Sequence, residues 1–382
     1  MFNIKLLKFW TGNDTPHYFH PAVCQAASDW VMTMQTFNGA GDTYGPVEYT
    51  TSTDQGQSWS KVQPLTALKS TILDGGVKEG IADVRTFYHE PTKSVIALGC
   101  TTYYGAEKCL LENSNFDRQK YSTRPVYAIR NAQGEWSERR ELTHSSFATC
   151  NDWRAACTQI EILPDGNIII PIYYAPNQAS KASVVATLLC SFDGKNITVD
   201  KVGKQVDNGD CTSYLVEPSI VKFAGKFLLT LRTGEQRGYV TVSDDGLSWS
   251  NVSSWCWDDG DPLLTTNTQQ HWLKLKDKLY LVYTRSADDN QDVMRWRAPL
   301  FMAEVDTDKI CLKRHTEQVV LPLIRKRNLP YISGNYHVSS ITADLATVSD
   351  GQLWFRVEKG ATPAEDYIAE YDSFVTIAKI TP

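Results

Sequence analysis

The 382-residue sequence lacks any run of apolar residues long enough to cross a membrane. Its longest apolar segments, residues 168–174 and 279–283, have the length of β-strands, and we therefore expect no membrane insertion. Residues 1–10 are too short and too interrupted in apolar character for a signal peptide, and no small-residue cleavage site follows. We therefore expect either a protein that stays inside the cell or a secreted or periplasmic chain that begins after a removed leader.

Several other signals of function are also missing. Lys and Arg number 38 against 44 Asp and Glu, so a net charge of -6 gives no reason to expect nucleic-acid binding. The nine cysteines form no CxxC pair, which disfavours structural zinc and a disulfide framework. No GxGxxG, P-loop, GxSxG or HExxH motif occurs, which removes the commonest nucleotide-binding, serine-hydrolase and zinc-protease interpretations.

The sequence does contain an internal repeat, and it has neither a linker nor helical periodicity of useful length. Six times a short strand-like run and a turn precede a strongly apolar strand, at residues 30–35, 95–100, 168–173, 227–232, 279–284 and 353–358. A third strand usually follows each of them. Repeats of this kind are typical of propeller blades. We predict an all-β fold, a six-bladed β-propeller forming one domain over residues 1–382, with blades at roughly 17–63, 80–143, 150–203, 210–255, 260–320 and 330–380.

A turn motif follows the third strand in two of the repeats. Residues 52–59 read Ser-Thr-Asp-Gln-Gly-Gln-Ser-Trp, and residues 244–249 read Asp-Asp-Gly-Leu-Ser-Trp, with Val242 where the first copy has Ser52. In such a turn, Asp accepts backbone N–H bonds, Gly adopts a conformation that other residues resist, and Trp packs between strands. The motif resembles the Asp-box, or BNR repeat, of sialidase-like (neuraminidase) propellers, which implies the same fold and a carbohydrate-handling central cleft.

Two further segments are similar to sialidases. Residues 217–232 resemble the hairpin in which a Glu and a triad Arg flank the turn, and residues 20–23 resemble the start of the first blade. The chain departs from the family at two places. It has Phe19 and His20 where sialidases carry an Arg, and Val338 where a nucleophilic Tyr would precede two serines. The resemblance thus implies the fold more strongly than sialic acid as the substrate.

In a propeller, the innermost strand of each blade lines the central channel. Aligning the repeats on their second strands places six polar residues at the start of successive first strands: His20, Asp83, Gln159, Glu217, His271 and His337. One interpretation is that polar residues merely solvate the channel. The other is that some are catalytic, because crowded carboxylates and imidazoles have their pKa values pushed apart, as acid–base chemistry requires.

The ends of the second strands should lie at one rim of the channel. Arg232 and Arg285 are placed there to clamp a carboxylate, although each could instead form an ion pair. Tyr173 is a stacking platform or a catalyst, and Arg85 shares a strand face with Asp83. Asp42 lies in the loop ahead of the first Asp-box, where sialidases place their acid/base Asp.

Three functions fit these residues. The first is a glycoside hydrolase of sialidase-like type that acts on an anionic or decorated glycan, with two carboxylates from Glu217, Asp83 and Asp42 as acid and base or nucleophile. The second is a uronate-directed polysaccharide lyase that uses the axial histidines or a tyrosine. The third is a non-catalytic glycan-binding propeller.

The sequence requires no cofactor, but the axial residues leave a metal alternative open. A divalent cation could be held by the imidazole and amide side chains of His20, Gln159, His271 and His337. Such ligands suit Mn, Fe or Zn better than Ca.

Overall fold

Six antiparallel β-sheets of four or five strands make up the fold in a computed structural model of the protein, which describes residues 2–11, 16–37, 42–105, 117, 119–176, 183–333, 335–359 and 367–382. The innermost strands of neighbouring blades contact one another around a central axis. The predicted six-bladed, all-β propeller is confirmed. Within the described residues there is no α-helix, and no helix is long and apolar enough to cross a membrane.

The first half of the ring follows an N-terminal strand, β1 (Asn3–Thr11). Blade 1 contains β2 (Tyr18–Gln25), β3 (Trp30–Phe37), β4 (Tyr44–Ser52) and β5 (Gln63–Pro64). Blade 2 contains β6 (Thr71–Ile72), β7 (Lys78–His89), β8 (Ser94–Tyr104), β9 (Pro125–Arg130) and β10 (Arg140–Glu141). Blade 3 contains β11 (Trp153–Arg154), β12 (Glu161–Ile162), β13 (Ile168–Tyr174), β14 (Val184–Phe192) and β15 (Ile197–Val202).

The second half of the ring has the same organisation. Blade 4 contains β16 (Leu215–Phe223), β17 (Lys226–Thr233), β18 (Tyr239–Ser243) and β19 (Ser253–Ser254). Blade 5 contains β20 (His271–Leu275), β21 (Lys278–Tyr283), β22 (Leu300–Asp306), β23 (Cys311–Leu312) and β24 (Gln318–Leu321). A small hairpin, β25 (Arg325–Lys326) and β26 (Leu329–Pro330), precedes blade 6, which contains β27 (His337–Thr342), β28 (Leu345–Glu358) and β29 (Tyr367–Thr381). Short 3₁₀ turns lie at Thr66–Leu68, Glu90–Thr92, Ser145–Phe147, Met294–Trp296 and Arg314–Thr316.

The ring is closed by pairing the two ends of the chain. Strand β1 pairs antiparallel with β29 from Asn3 opposite Thr381 to Thr11 opposite Phe374, so it forms the outer strand of blade 6. Closure protects an edge that would otherwise present unpaired backbone groups. The sequence repeat did not predict whether β1 pairs with β29, because β1 precedes the first repeat.

The core lies between the faces of neighbouring blades. For example, Trp153 of blade 3 packs in one apolar cluster with Ile96 and Leu98 of blade 2. The strongly apolar second strands supply many of these buried side chains, which explains why they were the clearest part of the repeat. The eight described cysteines are free, and all except Cys256 are buried.

Both turns that resemble the Asp-box are organised by an Asp carboxylate. Asp54 accepts hydrogen bonds from the backbone N–H of Ser58 and the hydroxyl of Ser52, both at 2.8 Å. In the second copy Asp245 has this role, because it accepts from the Ser243 hydroxyl at 3.0 Å and from the Ser248 N–H at 2.7 Å. An alignment on Gly246 without gaps pairs Val242 with Ser52. In the structure it is Ser243, one residue later, that takes the role of Ser52.

Candidate active site

Four successive blades carry the same backbone irregularity where the chain reaches the axis. His20, Asp83, Cys157 and Glu217 have φ angles of 51°, 56°, 52° and 46°. At three of them the strand pairing shifts register, between Phe19 and Ala22, Ala82 and Arg85, and Val216 and Ser219. Such bulges re-aim side chains and cost about 1–3 kcal/mol for each non-glycine residue in this region, so their recurrence marks a shared functional position.

The re-aimed side chains of Asp83 and Glu217 open into one cavity of about 430 Å³. Its polar lining comprises Asp42, Asp83, Thr102, Arg154, Tyr173, Glu217, Arg232, Arg295, Arg297 and Asn335. Its apolar lining includes Phe19, Phe37, Met294, Ile332, Leu353, Phe355 and Ile368. A cavity with convergent charges against an apolar wall is the usual form of a small-ligand site.

Glu217 and Arg232 form an ion pair inside this cavity. Arg232 Nη1 donates to Glu217 Oε1 at 2.5 Å, and Arg232 Nε donates to Asn267 Oδ1 at 2.6 Å. Burial opposes the charge on Arg232, but the Glu217 carboxylate more than offsets it and raises the pKa of Arg232. The other oxygen, Glu217 Oε2, is buried and has no hydrogen-bond partner among the described residues.

Asp83 is the second carboxyl group at this position. Burial, followed by the nearby charge of Glu217, raises the pKa of Asp83, and Arg85 partly opposes that rise. Asn335 Nδ2 donates to Asp83 Oδ1 at 2.7 Å, and His20 Nδ1 lies 3.6 Å from the same oxygen. The raised pKa favours a protonated carboxyl group that can donate its proton.

Arg297 is a further cation that lines this cavity. Within the described residues no carboxylate oxygen lies within 4.0 Å of its side-chain nitrogens, and its Nε is buried without a partner. Burial, then repulsion from Arg232 and Arg295, lowers the pKa of Arg297 to about 10. The cavity thus contains a positive charge that no carboxylate of the described residues compensates.

Other lining side chains already have partners. Arg154 forms a bidentate pair with Asp152, at 2.6 and 3.3 Å, so its charge is balanced. Asp42 accepts a hydrogen bond of 3.0 Å from the Tyr44 hydroxyl. Burial raises the pKa of Tyr173 well above its ordinary value, and its hydroxyl therefore stays protonated at neutral pH.

Several residues predicted from the repeat lie outside this cavity. Arg285 does not form a clamp with Arg232, because it makes a bidentate pair with Glu317 at 2.8 and 2.6 Å. The lining also leaves out Arg85, His271 and His337, which are buried on their inner strands. His20 is buried behind the cavity, beside the rings of Phe19 and Tyr44.

The metal alternative is not supported by the geometry. Gln159 uses its amide on the neighbouring blade, where Nε2 donates to the main-chain oxygen of Trp272 and Oε1 accepts from the Trp272 N–H, both at 2.7 Å. Across the described part of the chain, no group of three or more His, Cys, Asp or Glu side chains is arranged to hold a metal ion. The described structure does not bring His20, Gln159, His271 and His337 together as a metal site.

The alignment of second strands missed Arg154, Arg297 and Asn335 as site residues. Arg297 lies in the connection between β21 and β22, where the six repeats differ in length. Asn335 lies two residues before His337, the position chosen in blade 6.

No tyrosine occupies the position at which sialidases carry their nucleophile. Val338 occupies it, as the sequence indicated, and Tyr336 is nearby but buried. The Tyr336 hydroxyl lies 2.8 Å from the main-chain oxygen of Gln269 and 2.9 Å from that of Val282. Tyr336 therefore does not present its hydroxyl to the cavity.

Comparisons with known proteins support the fold. No family model matches the sequence, and no curated protein sequence matches it. Among solved structures, Trypanosoma rangeli sialidase is similar with a TM-score of 0.64 and 13% identity, over 98% of this chain and 59% of that chain. A Hadza microbial sialidase gives a TM-score of 0.66 and 14% identity, over 96% of this chain and 66% of that chain.

A third structural relative has nearly the same length as this chain. It is a protein of unknown function from Dyadobacter fermentans, with a TM-score of 0.61 and 12% identity, over 98% of this chain and 99% of that chain. By contrast, the chain spans only 59% of Trypanosoma rangeli sialidase. The chain therefore has the sialidase-like propeller fold. Sequence identities this low do not establish its activity.

Proposed function

We propose that this propeller is a glycoside hydrolase that acts on a glycan bearing a carboxylate group. The observation that carries the proposal is that Arg297, which has no carboxylate partner among the described residues, lines the same cavity as the Glu217–Arg232 ion pair. A carboxylate of the substrate would bind Arg297 and Arg232 together, and guanidinium groups suit that bidentate contact. Asn267 supports both arginines, because its Oδ1 accepts from Arg232 and its main-chain oxygen lies 3.5 Å from Arg297 Nη2.

The two carboxyl groups take different roles in this proposal. Asp83, whose pKa is raised, protonates the glycosidic oxygen, which lets the leaving sugar depart as an alcohol. The Glu217 carboxylate, which lines the same cavity, is the nucleophile or the base that activates water. Asp42 lies in the same cavity and is the alternative proton donor.

The apolar part of the lining gives the substrate a second feature. Phe19, Phe37 and Phe355 offer ring surfaces on which the apolar face of a sugar, or an apolar substituent, would pack. Such contacts exclude water, which strengthens the electrostatic interactions of the charged groups. A decorated anionic sugar matches both sides of the cavity.

The lyase hypothesis has less support. His271 and His337 do not line the cavity, and burial followed by Arg85 lowers the pKa of each imidazole well below its ordinary value. Neither is placed to remove a proton from a ligand bound there. A glycan-binding propeller without turnover is the second candidate, favoured by the buried, hydrogen-bonded Tyr336 hydroxyl.

The test is an incubation of the protein with sialylated, uronate-containing and neutral glycans, with reducing ends and ultraviolet absorbance recorded together. Reducing ends without absorbance, produced only from the anionic glycans and lost in Glu217→Gln, would support the hydrolase. The absorbance of an unsaturated uronate would identify a lyase instead. Saturable binding of an anionic glycan without product would identify the binding propeller.

A further inference from the structure

The two sides of the active-site cavity differ in chemistry, and the division follows the blades. Blades 3, 4 and 5 bring mainly charged side chains to the lining, namely Arg154, Glu217, Arg232, Arg295 and Arg297. Blades 1 and 6, which are neighbours in the closed ring, bring mainly apolar ones, among them Phe19, Phe37, Leu353, Phe355 and Ile368. Among the described residues, Asp42 is the only charged side chain that these two blades add to the lining. A ligand that fills the cavity therefore meets charges on one side and an apolar surface on the other.

The apolar side is one packed cluster rather than a set of scattered side chains. Phe19 and Phe37 of blade 1 pack with Leu353 of blade 6 in a single buried cluster, and the centroids of the two phenylalanine rings are 6.0 Å apart. Phe355 and Ile368 are partly buried and pack against the same cluster. The side chains of this cluster that reach the cavity form what we call the apolar wall: Phe19, Phe37, Ile332, Leu353, Phe355 and Ile368.

The part of the apolar wall that belongs to blade 6 is held in place by polar contacts. Strand β28 continues to Glu358, well beyond the end of its pairing with β27 at Ser349, so β28 and β29 form an extended hairpin. Asp372 of β29 accepts hydrogen bonds from Lys326 Nζ at 2.6 Å and from the Tyr331 hydroxyl at 2.8 Å. These contacts join the extended hairpin to the segment around β25 and β26. The apolar wall is therefore preformed, and a ligand does not have to order it on binding.

Both candidate proton donors lie on the same side of the cavity as the apolar wall. Asp83 accepts a hydrogen bond from Asn335, just before blade 6, and its Oδ1 is 3.6 Å from His20 Nδ1 of blade 1. Asp42, the alternative donor, belongs to blade 1 itself and accepts from the Tyr44 hydroxyl. A general acid must come within hydrogen-bond reach of the oxygen that it protonates. With either donor, the leaving group therefore lies toward blades 1 and 6.

We propose that the leaving group is apolar, so that the substrate class is a glycoside in which an anionic sugar is joined to an alkyl or aryl aglycone. This inference rests on the proposed function. The carboxyl group donates its proton to the glycosidic oxygen, the bond between that oxygen and the anomeric carbon breaks, and the aglycone leaves as an alcohol. Water supplies the hydroxyl group of the released sugar. The aglycone lies against the apolar wall while the carboxylate of the sugar contacts Arg297 and Arg232.

The test compares octyl, benzyl and methyl glycosides of N-acetylneuraminic, glucuronic and galacturonic acid, as both anomers, on the complete protein. The octyl glycosides are used below the concentrations at which they form micelles. We expect kcat/KM to be about 10- to 100-fold higher for the octyl or benzyl glycoside than for the methyl glycoside of the same sugar, because the larger aglycones bury apolar surface. Equal kcat/KM for all three aglycones would overturn this inference and leave the hydrolase in place. If no probe is hydrolysed, the proposed function fails, and this inference fails with it.

A variant pair shows whether the preference comes from the apolar wall. Phe355→Ala should reduce the ratio of kcat/KM between the preferred glycoside and the methyl glycoside by about 10-fold. The matched control is Phe192→Ala, because Phe192 is a half-buried phenylalanine of blade 3 outside the cavity, and it should keep the full ratio. The ratio cancels any loss of folded enzyme, since both substrates are measured on the same preparation. The comparison of glycosides on the unaltered protein decides the question even if Phe355→Ala does not fold. An unchanged ratio in folded Phe355→Ala would overturn the assignment of the aglycone to this wall.

Discussion

Asn335 of blade 6 donates a hydrogen bond of 2.7 Å to Asp83 of blade 2, across 252 positions of sequence. The contact joins a residue of the last blade to the bulge that aims Asp83 into the cavity. This hydrogen bond can form only when the ring is closed, because the two residues belong to different blades. The geometry of the candidate acid therefore depends on closure of the whole propeller.

Replacing Asp83 with Asn should abolish hydrolysis while making the protein more stable at neutral pH. Activity requires the protonated carboxyl group, so the activity of the unaltered enzyme should fall as pH rises through the raised pKa of Asp83. The stability that a raised pKa contributes is present below the ordinary carboxyl pKa and is lost as pH rises through the folded-state value. Asn also tolerates the positive φ of this position.

The measurements are kcat and Tm for Asp83→Asn and the parent protein across the acid range. We expect the Tm of the variant to exceed that of the parent increasingly as pH rises. Asp42→Asn is the matched variant for the alternative proton donor. If Asp42→Asn removes the alkaline limb of the rate profile and Asp83→Asn leaves it in place, the two roles must be exchanged.

Replacing Arg297 with Gln should weaken the binding of an anionic glycan without reducing stability. A charge-assisted hydrogen bond contributes about 1.5–3 kcal/mol, so KM should rise roughly 10- to 100-fold. The Tm should be unchanged or higher, because this buried cation has no carboxylate partner in the part of the chain that the structure describes. The measurement is KM for an anionic glycan and for its neutral methyl ester.

A control distinguishes this effect from general loss of positive charge. Arg285→Gln also removes a guanidinium from blade 5, but Arg285 is paired with Glu317 and lies outside the cavity. It should lower the Tm and leave KM unchanged. An equal rise of KM for the anionic glycan and the methyl ester in Arg297→Gln would show that Arg297 does not bind the carboxylate.

The sequence predicted the repeat and part of the cavity for identifiable physical reasons. Strong apolar second strands made the blades visible. The alignment built on them selected Asp83, Glu217, Arg232 and Tyr173, which line one cavity, and their roles stay predictions. Arg285 was misplaced, because the end of a strand does not determine where a long side chain finds its ion pair. Arg297 was missed, since connections of variable length cannot be aligned from strand periodicity.

The axial histidines show a second limit of that alignment. A bulge adds one residue to the first strand. The same number of residues counted back from the second strand therefore reaches a different position along the propeller axis in a blade that has no bulge. His20, Asp83 and Glu217 lie at bulges, whereas His271 and His337 have no positive φ. Their side chains therefore lie along the axis near Arg85 rather than in the cavity.

Replacing Asp54 with Asn should destabilise the first Asp-box turn in a pH-dependent way. Hydrogen bonds from Ser58, then from Ser52, lower the pKa of Asp54 to about 2. A lowered pKa contributes stability that is present above the ordinary carboxyl pKa and is lost as pH falls through about 2. The Tm difference between Asp54→Asn and the parent should therefore be constant at neutral pH and shrink below about pH 4.

The control for this measurement is Asp344→Asn in another turn. The Asp344 N–H donates to the Thr342 hydroxyl at 3.2 Å, and the substitution leaves this hydrogen bond in place. Its Tm should follow that of the parent at every pH. A Tm difference for Asp54→Asn that stays the same from pH 7 to pH 2 would mean that the carboxylate charge does not stabilise the turn.

Deleting residues 2–11 should open the propeller and disturb the candidate site far from the deleted strand. Removal of β1 exposes the edge of β29, whose pairing extends from Phe374 to Thr381. It also removes Phe2 and Ile4 from an apolar cluster that includes Tyr280 and Val338. We expect a large fall in Tm, a tendency to aggregate through the exposed edge, and a loss of activity.

Adding the deleted strand back as a synthetic peptide should restore Tm and activity together, because both depend on closure. If the truncated protein instead keeps the parent's activity and Tm, then blade 6 is stable without β1, and the contact between Asn335 and Asp83 does not require the closing strand.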